Sequence, residues 1–177
     1  MYSPGIEHNV ARVRRVAEGI YIANWAAAAN KGDLTKNGIT HIVSATPLEK
    51  TWGDEFEYML LEDCPTEDFE NCSNLENAFI FGENALRFGG RVCYICDTVI
   101  SHSSLFLISF LMKYKNISLL CSMQMLQTIP GKRGRKRAVA GLWPNGNIMR
   151  NLIEYESKLH TEGVLGPQLP SFYAWGQ

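Results

Sequence analysis

The sequence predicts an α/β protein built on a central, mainly parallel twisted sheet of about five strands flanked by helices. Three observations carry that prediction. Short runs rich in β-branched and aromatic residues alternate with helix-prone stretches, the order that produces a mainly parallel sheet covered on both faces. The stretch Arg91 to Lys115, RVCYICDTVISHSSLFLISFLMKYK, joins a buried strand, a short polar loop and a strongly apolar helix. Finally, the composition is 46% hydrophobic and 11% aromatic over 177 residues, enough for one domain with a substantial core and too apolar for a disordered chain.

Taken in order, residues 1–15 read as a partly ordered lead-in, polar and irregular through residue 17, with Arg12, Arg14 and Arg15 as a charge cluster. A domain is expected over 16–160 and a tail over 161–177. Gly19 to Ala23 is a strand by its β-branched and aromatic content. Trp25 to Ala29 is helix-prone, and Asp33 to Lys36 continues a short helix that stops at Asn37-Gly38. Ile39 to Ser44 is a second strand, Pro47 to Asp54 a loop, and Glu57 to Leu61 a third strand. The acidic, proline-interrupted stretch Glu62 to Asp68 is irregular. Ser73 to Phe88 is a helix opened by a Ser73-x-x-Glu76 capping box, with Leu75, Phe79, Ala85 and Leu86 available for its buried face. Gly89-Gly90 ends it and releases the chain into the strand Val92 to Ile95. Helices follow over Ser103 onward, Ser118 to Thr128 and Asn147 to Lys158, the last with Ile148, Leu152, Ile153 and Tyr155 as core contacts.

The net charge of −1 gives no global attraction to nucleic acid or to an anionic membrane. No apolar run reaches the ~18–20 residues needed to span a bilayer. Five cysteines without regular spacing point to a reducing compartment, cytosol or nucleus, rather than to a disulfide framework. Cys93 and Cys96 have the spacing of a metal or redox pair, but positions i and i+3 of a strand face opposite sides, so no metal site is expected. No cofactor is implied.

The chemistry concentrates where the fourth of these strands ends. Cys96 enters a loop that leads to a helix N-terminus, where loop N–H groups and the helix dipole converge on one spot suited to an anion. The same surroundings lower a thiol pKa from ~8.5 and favour a nucleophilic thiolate. Thiolate attack on a phosphate ester also needs an acid for the leaving oxygen, and Asp63 is available for that role. The alternative readings are a buried inert thiol for Cys96 and a loop-capping carboxylate for Asp63.

The order of these residues resembles the atypical dual-specificity protein phosphatases, within the Cys-dependent tyrosine phosphatases. Gly19-Ile-Tyr-Ile-Ala-Asn24 is similar to the family's opening strand and Gly38-Ile-Thr-His-Ile-Val43 to its second. Leu61-Glu-Asp-Cys-Pro-Thr66 resembles the general-acid loop, Phe110 to Tyr114 the helix after the signature, and Pro144-Asn-Gly146 with Leu152 to Glu156 the last helix and its entry. The resemblance implies Cys96 as nucleophile, Asp63 as acid, and Asp97, Thr98, Val99, Ile100, Ser101, His102 and Ser103 as the phosphate-binding stretch.

The signature departs from the family pattern of His, Cys, five residues usually including a glycine, then Arg. The corresponding residues are Ile95-Cys-Asp-Thr-Val-Ile-Ser-His102. An arginine offers a planar, permanent charge to two phosphate oxygens. His102 is shorter, has at most two N–H donors and is largely neutral near pH 7. Losing one preorganised donor costs roughly 2.7–4 kcal/mol, a factor of about 100–1,000. Val99 is β-branched where the family usually has glycine, and Ile95 removes a polar neighbour of the thiol. Asp97 adds negative charge beside it. The expectation is a pseudophosphatase that binds a phosphorylated protein or another protein partner; the alternative is a weakly active phosphatase using Cys96, Asp63 and a protonated His102.

The basic run Lys132, Arg133, Arg135, Lys136 and Arg137, in an apparent insertion at 131–137, reads as a solvated loop. Its sharper reading is a site for an acidic partner or nuclear import, with nucleic acid the less favoured ligand. The aromatics Phe172, Tyr173 and Trp175 are expected to pack back on the domain, with an exposed linear motif as the alternative reading.

Overall fold

The computed structural model describes residues 13–44, 52–61, 73–96, 102–127 and 146–166. Strands β1 (Arg14–Ala17), β2 (Ile20–Ala23), β3 (His41–Ser44), β4 (Glu57–Leu60) and β5 (Val92–Ile95) form one sheet. Its order is β1-β2-β5-β3-β4, with β1 antiparallel to β2 and every other pairing parallel. The helices are α1 (Trp25–Ala28), α2 (Lys31–Lys36), α3 (Ser73–Arg87), α4 (His102–Lys115), α5 (Leu119–Gln127) and α6 (Gly146–Thr161).

Side chains sort by strand parity onto two cores. Ile20, Ile22, Val43, Leu61, Val92, Tyr94 and Cys96 pack with α3, α4, α5 and α6. Tyr21, Ala23, Ile42, Cys93 and Ile95 pack with Ala27, Ala28 and Leu34 of α1 and α2. Burial on both faces explains why β2 and β5 read as continuous apolar runs. Cys93 and Cys96 accordingly belong to different cores. Burial, and then the nearby Cys96, push the Cys93 thiol far up. The three described cysteines, Cys93, Cys96 and Cys121, form no disulfide.

Helix α4 is buried continuously from Ser104 to Met112, as an all-round apolar helix must be. It packs against β5, α3, α5 and α6. Helix α3 meets it through a stripe of Leu75, Ala78, Gly82 and Ala85. The small residues let the Phe110 ring come in close: a Cβ on Gly82 would lie 2.7 Å from Phe110 Cε2 and 3.1 Å from the Tyr94 hydroxyl. Phe79 and Leu86, expected on the buried face, are half-buried at its margins. Among the described residues no single helix is long and apolar enough to cross a membrane.

Four readings of the sequence change. Arg14–Ala17 is a strand rather than irregular chain, pairing Arg14 with Ile22 and Arg15 with Tyr21. It is an edge strand with no fully buried residue, so pairing with β2 forms it and no alternation announces it. The single short helix over Trp25–Lys36 is two helices, because Asn30 starts a second one by accepting from the Asp33 N–H at 3.2 Å. Ser73 is the first residue of α3 rather than its cap, and Glu76 turns to Lys113 Nζ at 2.6 Å. The stretch after 160 begins packed, since α6 runs to Thr161 and Leu165 is buried in the larger core. The other expectations for residues 1–12, 131–137 and 167–177 lie outside the described residues.

Both helices that feed the amino edge of the sheet end in the same way. Gly38 (φ +65°) and Gly89 (φ +79°) follow α2 and α3 in the left-handed conformation. The Ile39 N–H reaches Leu34 O at 3.1 Å and the Gly90 N–H reaches Ala85 O at 2.7 Å, closing two Schellman motifs.

Candidate functional site at the carboxyl end of the central strand

The register places four strand ends in one row. Ala23 and Ser44 both face Ile95, and Leu60 faces Ser44. The ladder then continues one step: Cys96 N–H donates to Ala23 O at 2.8 Å and Leu61 N–H to Ser44 O at 2.8 Å. Cys96 is therefore the first residue beyond the carboxyl end of the central strand, with a strand on each side. That is the edge at which open α/β sheets bind ligands.

Parity turns Cys96 toward the α3–α4 side, and it is buried, with 9% of its surface exposed. Six residues later α4 begins at His102, one residue before the Ser103 expected from sequence. Cys96 thus ends the central strand in the core that α4 also packs into. Ser104, in the first turn of α4, is buried at 1% exposure. Neighbouring Tyr94 is fully buried in β5, and its hydroxyl is pushed well up by burial first and by Cys96 second. It packs against Phe110 at 5.7 Å between ring centroids. It is a core residue under the site rather than an acid in it.

Ile95 faces away from Cys96, into the core with Tyr21, Ala23 and Ala27. An isoleucine there fills an apolar space, whereas a histidine would bring a polar ring into it. His102 and Ser103 are the first two residues of α4. Asp63, Asp97, Thr98, Val99, Ile100 and Ser101 lie outside the described residues, as does the basic group Lys132, Arg133, Arg135, Lys136 and Arg137. Among the described residues no cluster of three or more histidine, cysteine or acidic side chains could hold a metal ion.

Two site-edge residues carry weak sequence signals. Asn24, directly after β2, caps α1 by accepting from the Ala27 N–H at 2.9 Å. Trp25 follows it and stays 39% exposed. An asparagine before a helix-prone run is a legible cap signal; the exposure of the tryptophan is not legible without the fold.

This fold, with Cys96 at the carboxyl end of its central strand, points to a class. Residues 20–158 match the dual specificity phosphatase catalytic domain family, and the chain belongs to that family. Dual specificity protein phosphatase 1 of Arabidopsis thaliana is 28% identical over 145 residues, covering 81% of this chain and 69% of the relative. A mouse putative dual specificity phosphatase, solved in complex with zinc tungstate, superposes with a TM-score of 0.73 at 26% identity, covering 94% of this chain and all of that one. The human tyrosine phosphatase-like serine/threonine/tyrosine-interacting protein shares the fold, with a TM-score of 0.64 at 20% identity over 85% of this chain and 99% of its own.

Proposed function

We propose that this protein is a catalytically impaired member of its family, a pseudophosphatase that acts as a binding or regulatory module for a phosphorylated segment or another protein partner. The observation that carries the reading is the substitution of the signature around a retained cysteine. His102 stands where the family has arginine, Val99 where it usually has glycine, and Ile95 where it has histidine. Without the arginine, the phosphate oxygens lose a fixed bidentate charge, and a thiolate attack loses its main electrostatic support. The stretch Asp97 to Ser103 retains backbone N–H groups and a helix start, which support residual affinity for an anion. The scattered cysteines support a cytosolic or nuclear setting.

The test is turnover of a small aryl phosphate and of phosphotyrosine peptides by the wild-type protein and by Cys96→Ser. The reading expects no difference between them. Robust turnover lost in Cys96→Ser overturns it.

A second reading is favoured by one observation, the retention of Cys96 at the strand end together with Asp63 in the acidic segment. It makes the protein a weak phosphatase in which protonated His102 substitutes for arginine. Turnover then rises as pH falls through the histidine titration, because only the imidazolium supplies charge. A rate that is flat across that range contradicts it.

A further inference from the structure

Among the described residues the sheet has two open edges, and they are finished differently. β1 lies at one end of the strand order and β4 at the other. β1 carries Arg14 and Arg15, and its register shifts between Arg15 and Ala17. The Arg15 side chain also folds back, its Nε donating to Ala17 O at 3.3 Å. Charge and a bulge are devices that stop an edge strand from accepting another strand. β4 has no such guard. Its sequence is Glu57-Tyr-Met-Leu60, its register against β3 runs without a shift, and Glu57 is its one charge.

The ladder tells which backbone groups of β4 look outward. The Glu57 N–H donates to Thr40 O at 2.9 Å and the Leu61 N–H to Ser44 O at 2.8 Å. Between them the parallel register pairs His41 with Glu57 through to Ser44 with Leu60. Successive residues of a strand turn their N–H and C=O groups to opposite sides, so Glu57, Met59 and Leu61 serve β3. Tyr58 and Leu60 therefore hold theirs toward the open edge. Among the described residues no strand pairs with them there.

These outward groups are complementary to a second copy of themselves. In an antiparallel pair, two residues directly opposite each other can exchange both hydrogen bonds. Setting Tyr58 opposite Leu60 of a second β4 creates two such pairs by symmetry and engages every outward group of the strand. The same register puts Met59 opposite Met59 on the two-fold axis and Glu57 opposite Leu61. The two Glu57 carboxylates then lie four residues apart, roughly 13 Å along the strands, so the edge's one charge does not meet itself.

The faces agree as well. Tyr58 and Leu60 both pack against the smaller core, and Met59 against the larger. A two-fold axis perpendicular to the sheet keeps each face on its own side. Tyr58 of one copy thus lies beside Leu60 of the other, on the face covered by α1 and α2. All three side chains are only half-buried within one copy, which leaves apolar surface for the pairing to cover.

We infer that β4 is a pairing edge for a second copy of this chain, joined antiparallel with Tyr58 opposite Leu60 and Met59 on the two-fold axis.

Sedimentation velocity over about 5 to 500 µM should show a monomer–dimer equilibrium, because one strand edge gives the small interface of a transient pair. Amide exchange followed by NMR over the same range needs no variant. It should slow at Tyr58 and Leu60, whose N–H groups gain acceptors, and stay unchanged at Met59. Leu60→Pro removes an outward N–H and no bond to β3, and should weaken the dimer by at least about tenfold. Met59→Lys and Met59→Glu should each be monomeric alone, through like charges at the axis, and dimeric when mixed. Circular dichroism and thermal unfolding show whether each variant is folded, and the charge pair decides if the proline variant is not. Wild-type protein that is monomeric throughout overturns the inference. So does a dimer that persists undiminished in folded Leu60→Pro, or a mixture of the folded Met59 variants that stays monomeric. A dimer with unchanged exchange at Tyr58 and Leu60 overturns it too, because another surface then makes the contact.

Discussion

The two ends of the sheet differ in what they carry: a hydrogen-bonded knot at the amino edge and Cys96 at the carboxyl edge. At the amino edge, Thr40 Oγ1 accepts the Arg91 N–H at 2.8 Å, and the Thr40 and His41 N–H groups both reach Arg91 O at 3.0 Å. Arg91 Nη1 donates to Asn37 O at 2.6 Å, and the Val92 N–H to Gly19 O at 2.9 Å. This edge ties β2, β3, β5, α2 and α3 into one knot. At the carboxyl edge the Cys96 N–H extends the ladder to Ala23 O and the Leu61 N–H extends it to Ser44 O. The amino-edge knot lies at the end of β5 away from the signature. A knot at that end uses none of the signature residues, so the presence of the fold says little about the chemistry.

The comparison can be broken most severely through the frame. Phe110 packs against Phe79, Tyr94 and Tyr114 at 5.6, 5.7 and 5.1 Å between centroids. Phe110→Ala should cost about 3–5 kcal/mol by denaturant unfolding, abolishing the fold and any ligand binding together. A smaller loss would mean that α3 and α4 close over the cavity.

Next is Glu156, buried on α6, whose Oε1 accepts the Leu119 N–H at 2.8 Å and so holds the start of α5. Glu156→Ala leaves a buried donor without an acceptor and should cost about 1–3 kcal/mol. Glu156→Gln keeps an acceptor and should cost less; equal losses in both variants would show that the hydrogen bond is not the source.

Thr40→Val probes the amino knot directly. It removes the acceptor for the Arg91 N–H at a partly solvated position, for about 0.5–1.5 kcal/mol. Phosphopeptide affinity should not move, because the knot and Cys96 lie at opposite ends of β5. A matching loss of affinity would show that the two edges are coupled.

The smallest effect belongs to His41, which sits beside Glu57 in the register and against the Phe81 ring at 5.1 Å. Burial lowers its pKa below the ordinary value near 6.5, with Glu57 opposing that shift. The unfolded chain then binds a proton more readily than the folded one. Its contribution to stability is complete above about pH 6.5 and is lost as pH falls from there through the folded-state pKa. His41→Gln should flatten that part of the stability profile, and an unchanged slope would assign it to other groups.

Most of the frame was legible because periodicity and composition act locally. Val92–Ile95 and the apolar α4 announce themselves, and the Asn37-Gly38 and Gly89-Gly90 stops correspond to two Schellman motifs. What was not legible depends on tertiary partners. Arg14–Ala17 is a strand only because β2 offers an edge, and Glu76 leaves its expected capping role because Lys113 is near. In the site, the place of Cys96 followed from strand–loop–helix order. The inward direction of Ile95 did not, because it depends on which face of β5 the two short helices cover.

The central claim, that the frame is kept and the proposed chemistry is lost with the signature, is tested most directly by steady-state turnover of an aryl phosphate in a restored protein. Val99→Gly with His102→Arg returns a glycine and the arginine without disturbing the buried Ile95. The account predicts wild-type turnover equal to that of Cys96→Ser, and at least ~100-fold faster turnover in the restored protein that depends on Cys96. Cys96-dependent turnover in the wild type that restoration does not increase would contradict it.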